Sequence, residues 1–371
     1  MLIRLIVLLC LPFVTLTENY VFELTNNKRI DNDTENYVDT YIIKNSQSDS
    51  LIVWFPGYYD YFKHKHIFTE IPFFNNVDIL PMYFSSWNIS KFQPYKEDNI
   101  LDYFDSIDKI LETIDKKKYK NIVLYGHSMG GLLATIYGYC GKYNHIFNGV
   151  ILNDPYYQWD SLKFLSKNIY LHPLSWSWKT FYWSFDESNP LVWWYKSSTT
   201  QNLNKLEYLH EKIPNPSVHI TAGHIWATTQ SMNLVETTNY LLFDDVPTLL
   251  LMSGGIEHFE KALVLQKDLI EIGPKLSTNV EYVGINSAIH DVLFPQNTDE
   301  FKTLDRVLDS FFKTLKTEVK LNNNPQPELK RIDGAFLWVP TLITWIIVSS
   351  LIFGFYRFFI LVILPLVVKI R

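Results

Sequence analysis

Gly126-His127-Ser128-Met129-Gly130 is the segment of this chain whose residue types and spacing are best suited to chemistry. A serine between glycines two residues away on either side suits a strand that turns sharply into a helix. The glycines remove side chains where the backbone is crowded, and the serine hydroxyl is left exposed as a nucleophile. The amide of Met129, at the start of the helix that follows, points where the oxyanion of an attacked carbonyl would form. A second donor is expected from the turn after an earlier strand. Leu51 to Phe55 runs directly into Pro56-Gly57-Tyr58, where Gly57 permits the turn and Tyr58 offers its amide.

A serine nucleophile needs a base and a group to orient it. If the order is serine, acid, histidine, only His258 and His290 lie far enough along the chain. His290 is favoured, because it follows the run Val280 to Ile285 by a short loop, a place from which an imidazole reaches back over the strand ends. His258 reads as a surface or acid-loop residue, and His127 as packing beneath the turn. For the acid, Glu257 is the first choice, after Thr248 to Met252 and Ser253-Gly254-Gly255-Ile256. Asp154, after an earlier strand, and Glu260, one helical turn beyond Glu257, stay open as alternatives. A carboxylate favoured by a helix N-terminus is the plain reading of any one of them.

The elements that must position these groups can be read from hydrophobic periodicity. Tyr20 to Leu24 and Tyr37 to Lys44 read as an opening hairpin. Leu51 to Phe55, Asp78 to Phe84, Asn121 to Tyr125, Gly149 to Leu152, Thr248 to Met252 and Val280 to Ile285 read as strands of one sheet. Asn99 to Lys117, Glu260 to Ile272 and Asp299 to Leu315 carry apolar residues at helical spacing. Alternation of this kind predicts an α/β fold with a mostly parallel central sheet flanked by helices. The rhythm breaks between Asp154 and Ser231, which holds seven of the chain's 11 tryptophans, so residues 155–231 read as an aromatic-rich cap insertion.

The ends are apolar. Residues 1–17 resemble a signal peptide or an N-terminal anchor, with Arg4 ahead of the run Leu5 to Leu16. The catalytic domain is expected over residues 20–320, followed by a polar, Pro-containing linker over 321–334. Residues 335–368 read as a membrane segment, because Ala335 to Tyr356 carries no charge and at ~1.5 Å per residue spans ~33 Å. A single span and a hairpin remain open. Basic residues on the two sides favour a cytosolic C-terminus by a small margin, which would put the catalytic domain on the lumenal or extracellular side.

Composition excludes several classes. With 47% hydrophobic and 19% charged residues, a disordered or fibrous chain is ruled out. A formal charge of -6 gives no positive field for phosphates, so nucleic acid is not an expected partner. Two cysteines, Cys10 and Cys140, build no disulfide framework. Zinc-binding and nucleotide-binding spacings are absent, so no metal or cofactor is expected.

The order of these motifs resembles a known family. Gly126-His127-Ser128-Met129-Gly130-Gly131, Phe55-Pro56-Gly57-Tyr58-Tyr59-Asp60-Tyr61-Phe62, Val150-Ile151-Leu152-Asn153-Asp154-Pro155 and Ala288-Ile289-His290-Asp291-Val292-Leu293 are similar to segments of the monoacylglycerol lipase and lysophospholipase type of α/β-hydrolase, often grouped as serine aminopeptidase-like. The resemblance covers residues 20–320. It implies a triad of serine, acid and histidine, a cap over the site, and hydrolysis of acyl esters. Two departures stand out: Pro56-Gly57 replaces the usual His-Gly of the oxyanion turn, and Glu257 stands where an Asp is usual. The expected function is a membrane-associated serine hydrolase acting on lipid acyl esters such as monoacylglycerol or lysophospholipid. Alternatives are a non-lipid esterase, thioesterase or peptidase of the same fold, or an inactive membrane-tethered binding protein.

Overall fold

A computed structural model describes residues 20–23, 42–45, 48–57, 67–82, 100–157, 183–185, 218–220, 222–238, 241–253, 266–288, 290–295, 297–322, 324–327, 350 and 353–354. Strands β1 (Tyr20–Glu23), β2 (Ile42–Asn45), β3 (Ser50–Phe55), β4 (Asp78–Pro81), β5 (Asn121–His127) and β6 (Gly149–Asn153) come first. A short pair follows, β7 (Trp183–Phe185) and β8 (Val218–Ile220), and then β9 (Thr248–Ser253) and β10 (Val280–Ile285). The main sheet has eight strands in the order β1-β2-β4-β3-β5-β6-β9-β10. From β4 to β10 all neighbours are parallel, while β1 and β2 pair antiparallel and β2 meets β4 antiparallel. The expected hairpin is therefore formed by β1 and β2, at one edge.

Strands β3, β5, β6 and β9 are buried along their whole length, as parallel strands covered on both faces must be. That explains their almost unbroken apolar sequences. Helices α1 (Phe104–Glu112), α2 (Met129–Cys140), α3 (Ala222–Thr237) and α4 (Gln266–Leu276) contribute buried residues to the core on one face. On the other, α5 (Thr298–Thr314) and the short turns around Ile67 and Phe74 close a second core against Trp54, Tyr125 and Ile151. Helix α5 is capped by Asn297, whose side chain accepts from the Glu300 amide at 2.9 Å. It buries Leu304, Leu308 and Phe311 on one stripe, at roughly 1.5–3 kcal/mol per side chain removed from water.

Several boundaries differ from those read in the sequence, and three of them bear on the packing. The run beginning at Asn99 opens with a 3-10 turn, Ile100–Tyr103, before α1 begins. Helix α4 continues past Ile272, through Pro274, to Leu276. Its last turn is held by tertiary packing, because Ile272 and Leu276 are both buried in the core. The polar segment after Lys320 also begins inside the domain: Leu321 is only 2% exposed and donates its amide to Phe147, and the Asn144 side chain donates to the Asn322 carbonyl. This strap lies at the amino edge of the sheet, where β6 begins.

The stretch expected to form a cap falls between β6 and β9. Its described parts are the antiparallel β7–β8 ribbon and α3, which crosses residue 231 and buries Met232 and Val235 in the main core. Among the described residues no helix is long and apolar enough to cross a membrane. Residues 1–17, expected to form a leader or anchor, and, apart from Ser350, Phe353 and Gly354, the segment 335–368 lie outside the described residues.

Candidate active site

The turn from β5 into α2 holds Ser128 at φ 52 and ψ −121, a left-handed backbone that a side chain disfavours. Two glycines make room for it. A Cβ on Gly126 would lie 2.6 Å from the Gly130 carbonyl, and a Cβ on Gly130 would lie 2.1 Å from the Pro56 carbonyl. Helix and strand thus fold against each other and against the turn after β3 at distances only glycine permits. Hydrogen bonds fix the turn from both sides. The Ser128 amide donates to the Asn153 carbonyl at 3.0 Å, while its own carbonyl accepts from the amides of Gly131, at 2.9 Å, and Tyr156, at 2.9 Å.

His290 follows β10 and is only 3% exposed. Its Nε2 lies 2.8 Å from Ser128 Oγ, and its Nδ1 lies 3.3 Å from Asp154 Oδ2. Burial pushes the imidazole below its ordinary pKa, the Asp154 carboxylate opposing this and the neighbouring His127 adding to it. The ring is held as the neutral base. His127 packs beneath the turn with its ring centroid 4.9 Å from that of His290.

Of the three carboxylates weighed from the sequence, Glu257, the first choice, and Glu260 lie outside the described residues. Asp154, the other alternative, is brought to His290. The physical reason is the sheet order. β6 lies between β5 and β9, so the residue just past its carboxyl end sits between the serine turn and the end of β9. Asp154 adopts a left-handed backbone, φ 44, which Asp tolerates better than most residues, and its amide donates to the Leu251 carbonyl at 2.9 Å. Its Oδ1 accepts from the Ser253 amide at 2.9 Å and its Oδ2 from the Ser253 hydroxyl. Ser253, the last residue of β9, thus orients the carboxylate. The sequence signal for it was weak, since a serine before Gly254-Gly255 reads as an ordinary turn.

Met129 is the first residue of α2, so its amide has no partner four residues back within the helix and is available to an oxyanion. Tyr58, the expected second donor, lies outside the described residues. Cys140 offers no rival nucleophile: it is buried at the end of α2, which pushes its thiol up to about 12. Among the described residues no cluster of His, Cys, Asp and Glu is placed to hold a metal ion.

A nucleophile turn, an imidazole and a carboxylate gathered at the carboxyl edge of this sheet define an α/β-hydrolase. Residues 90–293, more than half of the chain, match the serine aminopeptidase S33 family, and the chain belongs to that family. No curated protein matches it in sequence. Among solved structures, it is similar to a soluble variant of monoglyceride lipase from Saccharomyces cerevisiae in complex with a substrate analog, at 13% identity and a TM-score of 0.57, covering 80% of this chain and 95% of that one. It is also similar to a monoacylglycerol lipase from Paleococcus ferrophilus, at 15% identity and 0.52, covering 75% of this chain and 100% of that one. A thermostable carboxyl esterase from Bacillus coagulans, in complex with glycerol, gives 12% identity and 0.52, covering 80% and 98%. At these identities the likeness shows the fold.

Proposed function

We propose that the protein is a membrane-associated serine hydrolase that cleaves carboxylic esters of lipids, with monoacylglycerols and lysophospholipids as the substrate class. The observation that carries the hydrolytic part is the contact of Ser128 Oγ with His290 Nε2, at 2.8 Å, with Asp154 on the other ring nitrogen. In this reading Ser128 attacks the ester carbonyl as His290 takes its proton. The tetrahedral oxyanion is met by the Met129 amide, with the Tyr58 amide as second donor. His290 then returns the proton to the leaving alcohol, and water repeats the cycle on the acyl-enzyme. Asp154 keeps the proton on Nδ1, so that Nε2 faces the serine, and stabilises the imidazolium that forms.

Support for lipid as substrate comes from the apolar segment 335–368, which would hold the domain at a bilayer and raise the effective concentration of bilayer substrates, and from the aromatic stretch 155–231. The test is fluorophosphonate labelling of the full-length protein, followed by hydrolysis of monoacylglycerol, lysophosphatidylcholine and short p-nitrophenyl esters. Label on the wild type, none on Ser128→Ala, and turnover of either lipid are expected. Equal label on Ser128→Ala overturns the nucleophile. Turnover of the p-nitrophenyl esters alone overturns the lipid assignment.

A further inference from the structure

Asn153, the last residue of β6, is fully buried and uses its side chain on three partners at once. Its Nδ2 donates to Tyr125 Oη at 2.7 Å and to Asp291 Oδ1 at 2.7 Å, and its Oδ1 accepts from the Val292 amide at 3.0 Å. The Val292 N–H can only donate, which fixes which end of the amide faces it. Asp291 and Val292 are the two residues directly after His290. Asp291 Oδ1 also accepts from the Leu293 amide, at 3.1 Å, and its carbonyl accepts from Phe294, so the bonds end on a closed turn. On its other side, the Asn153 carbonyl accepts from the Ser128 amide at 3.0 Å.

One residue therefore holds the nucleophile turn through its main chain and the base loop through its side chain. Tyr125 extends this hold to β3, because its ring stacks on Trp54 at 3.8 Å between centroids, one strand over. We infer that Asn153 is a positioning residue, which sets the Ser128–His290 separation by clamping the His290 loop to the end of β6. Neither oxygen nor nitrogen of its side chain contacts the reacting groups, so its effect is exerted through the placement of the imidazole. Only an amide fits these partners: a carboxylate would have no hydrogen to give Asp291 and would set like charges together.

The inference rests on the hydrolase reading, and the experiment separates the two. In the full-length protein, Asn153→Asp is expected to slow fluorophosphonate labelling and kcat about 10²-fold, the scale of a ~1 Å misplacement, with KM little changed. Combining it with Asp291→Asn restores a donor across the same contact, though the Leu293 amide then loses its acceptor, and is expected to recover part of the rate. In a His290→Ala background, Asn153→Asp should change the residual rate no further. If Asn153→Asp does not fold, as judged by near-UV circular dichroism, Asp291→Ala removes one arm of the clamp and is expected to slow labelling by a smaller factor. Wild-type labelling with a variant that reacts as fast as wild type overturns the positioning role alone. Slowing of the same size in the His290→Ala background, or a double variant that regains melting temperature without regaining rate, also overturns it. No labelling of the wild type at Ser128 overturns the hydrolase reading and this inference with it.

Discussion

The two edges of the sheet both bury polar side chains, and they use them differently. At the amino edge, Asp78 at the start of β4 is fully buried and accepts from Lys118 Nζ at 2.6 Å and Tyr119 Oη at 2.7 Å. Beside it, Asn148 accepts from the Ile122 amide and donates to Asn121, which in turn donates to Ser50. Those bonds join strand starts to the loops that feed them. At the carboxyl edge, Ser128 and Asp154 are held in left-handed conformations and the polar chain ends on a hydroxyl. That hydroxyl is positioned to attack a carbonyl. Buried polarity holds the fold together at one edge, and at the other it prepares a proton transfer.

Substitutions at the two edges should therefore separate rate from stability. The largest effect is expected for Asp154→Asn, about 10⁴-fold in kcat with little change in melting temperature, because the wrong tautomer of His290 would face Ser128. Glu257→Gln should leave turnover near wild type in the same assay, and a reversal of these two results would restore the first reading of the sequence.

A pH profile of kcat/KM sharpens the contrast. His290 must be neutral to act as base, so activity should fall about tenfold per pH unit below its depressed pKa and level off above it, with the midpoint below ~6.5. The folded state binds the proton less readily than the unfolded chain. Stability from this group is therefore complete above the ordinary imidazole value and is lost as pH falls from there toward the depressed one. Thermal melts of wild type and His290→Ala across that range check the sign.

The smallest kinetic effect is expected at the amino edge. Asp78→Ala leaves the buried Tyr119 hydroxyl without this acceptor and should cost about 1–3 kcal/mol in denaturant unfolding, with kcat/KM unchanged. A loss of rate there, in protein shown to be folded, would break the division between the edges.

Ser128 was legible because its requirements are local: glycines two residues away on either side, a strand before and a helix after. His290 was legible from chain order and from the strand it follows. The acid was not, because Asp154 and Glu257 both follow strands whose carboxyl ends are neighbours, β6 and β9. The inward turn of Asp154 is held by contacts across strands, the two hydrogen bonds from Ser253, which no local spacing reveals. The clamp at Asn153 was hidden for the same reason, as its partners lie in β5 and after β10. The sheet strands were legible because burial on both faces demands nearly continuous apolar runs. The end of the domain was misplaced by one hydrophobic residue, Leu321, since the asparagines and prolines after it read as linker.

The docking of Leu321 and Asn322 also sets a direction of departure. Both contacts lie at the sheet end opposite the one that holds Ser128, so the chain passes out of the domain on the far side from the nucleophile. At up to ~3.3 Å each, residues 323–334 can put residue 335 at most ~40 Å from that point.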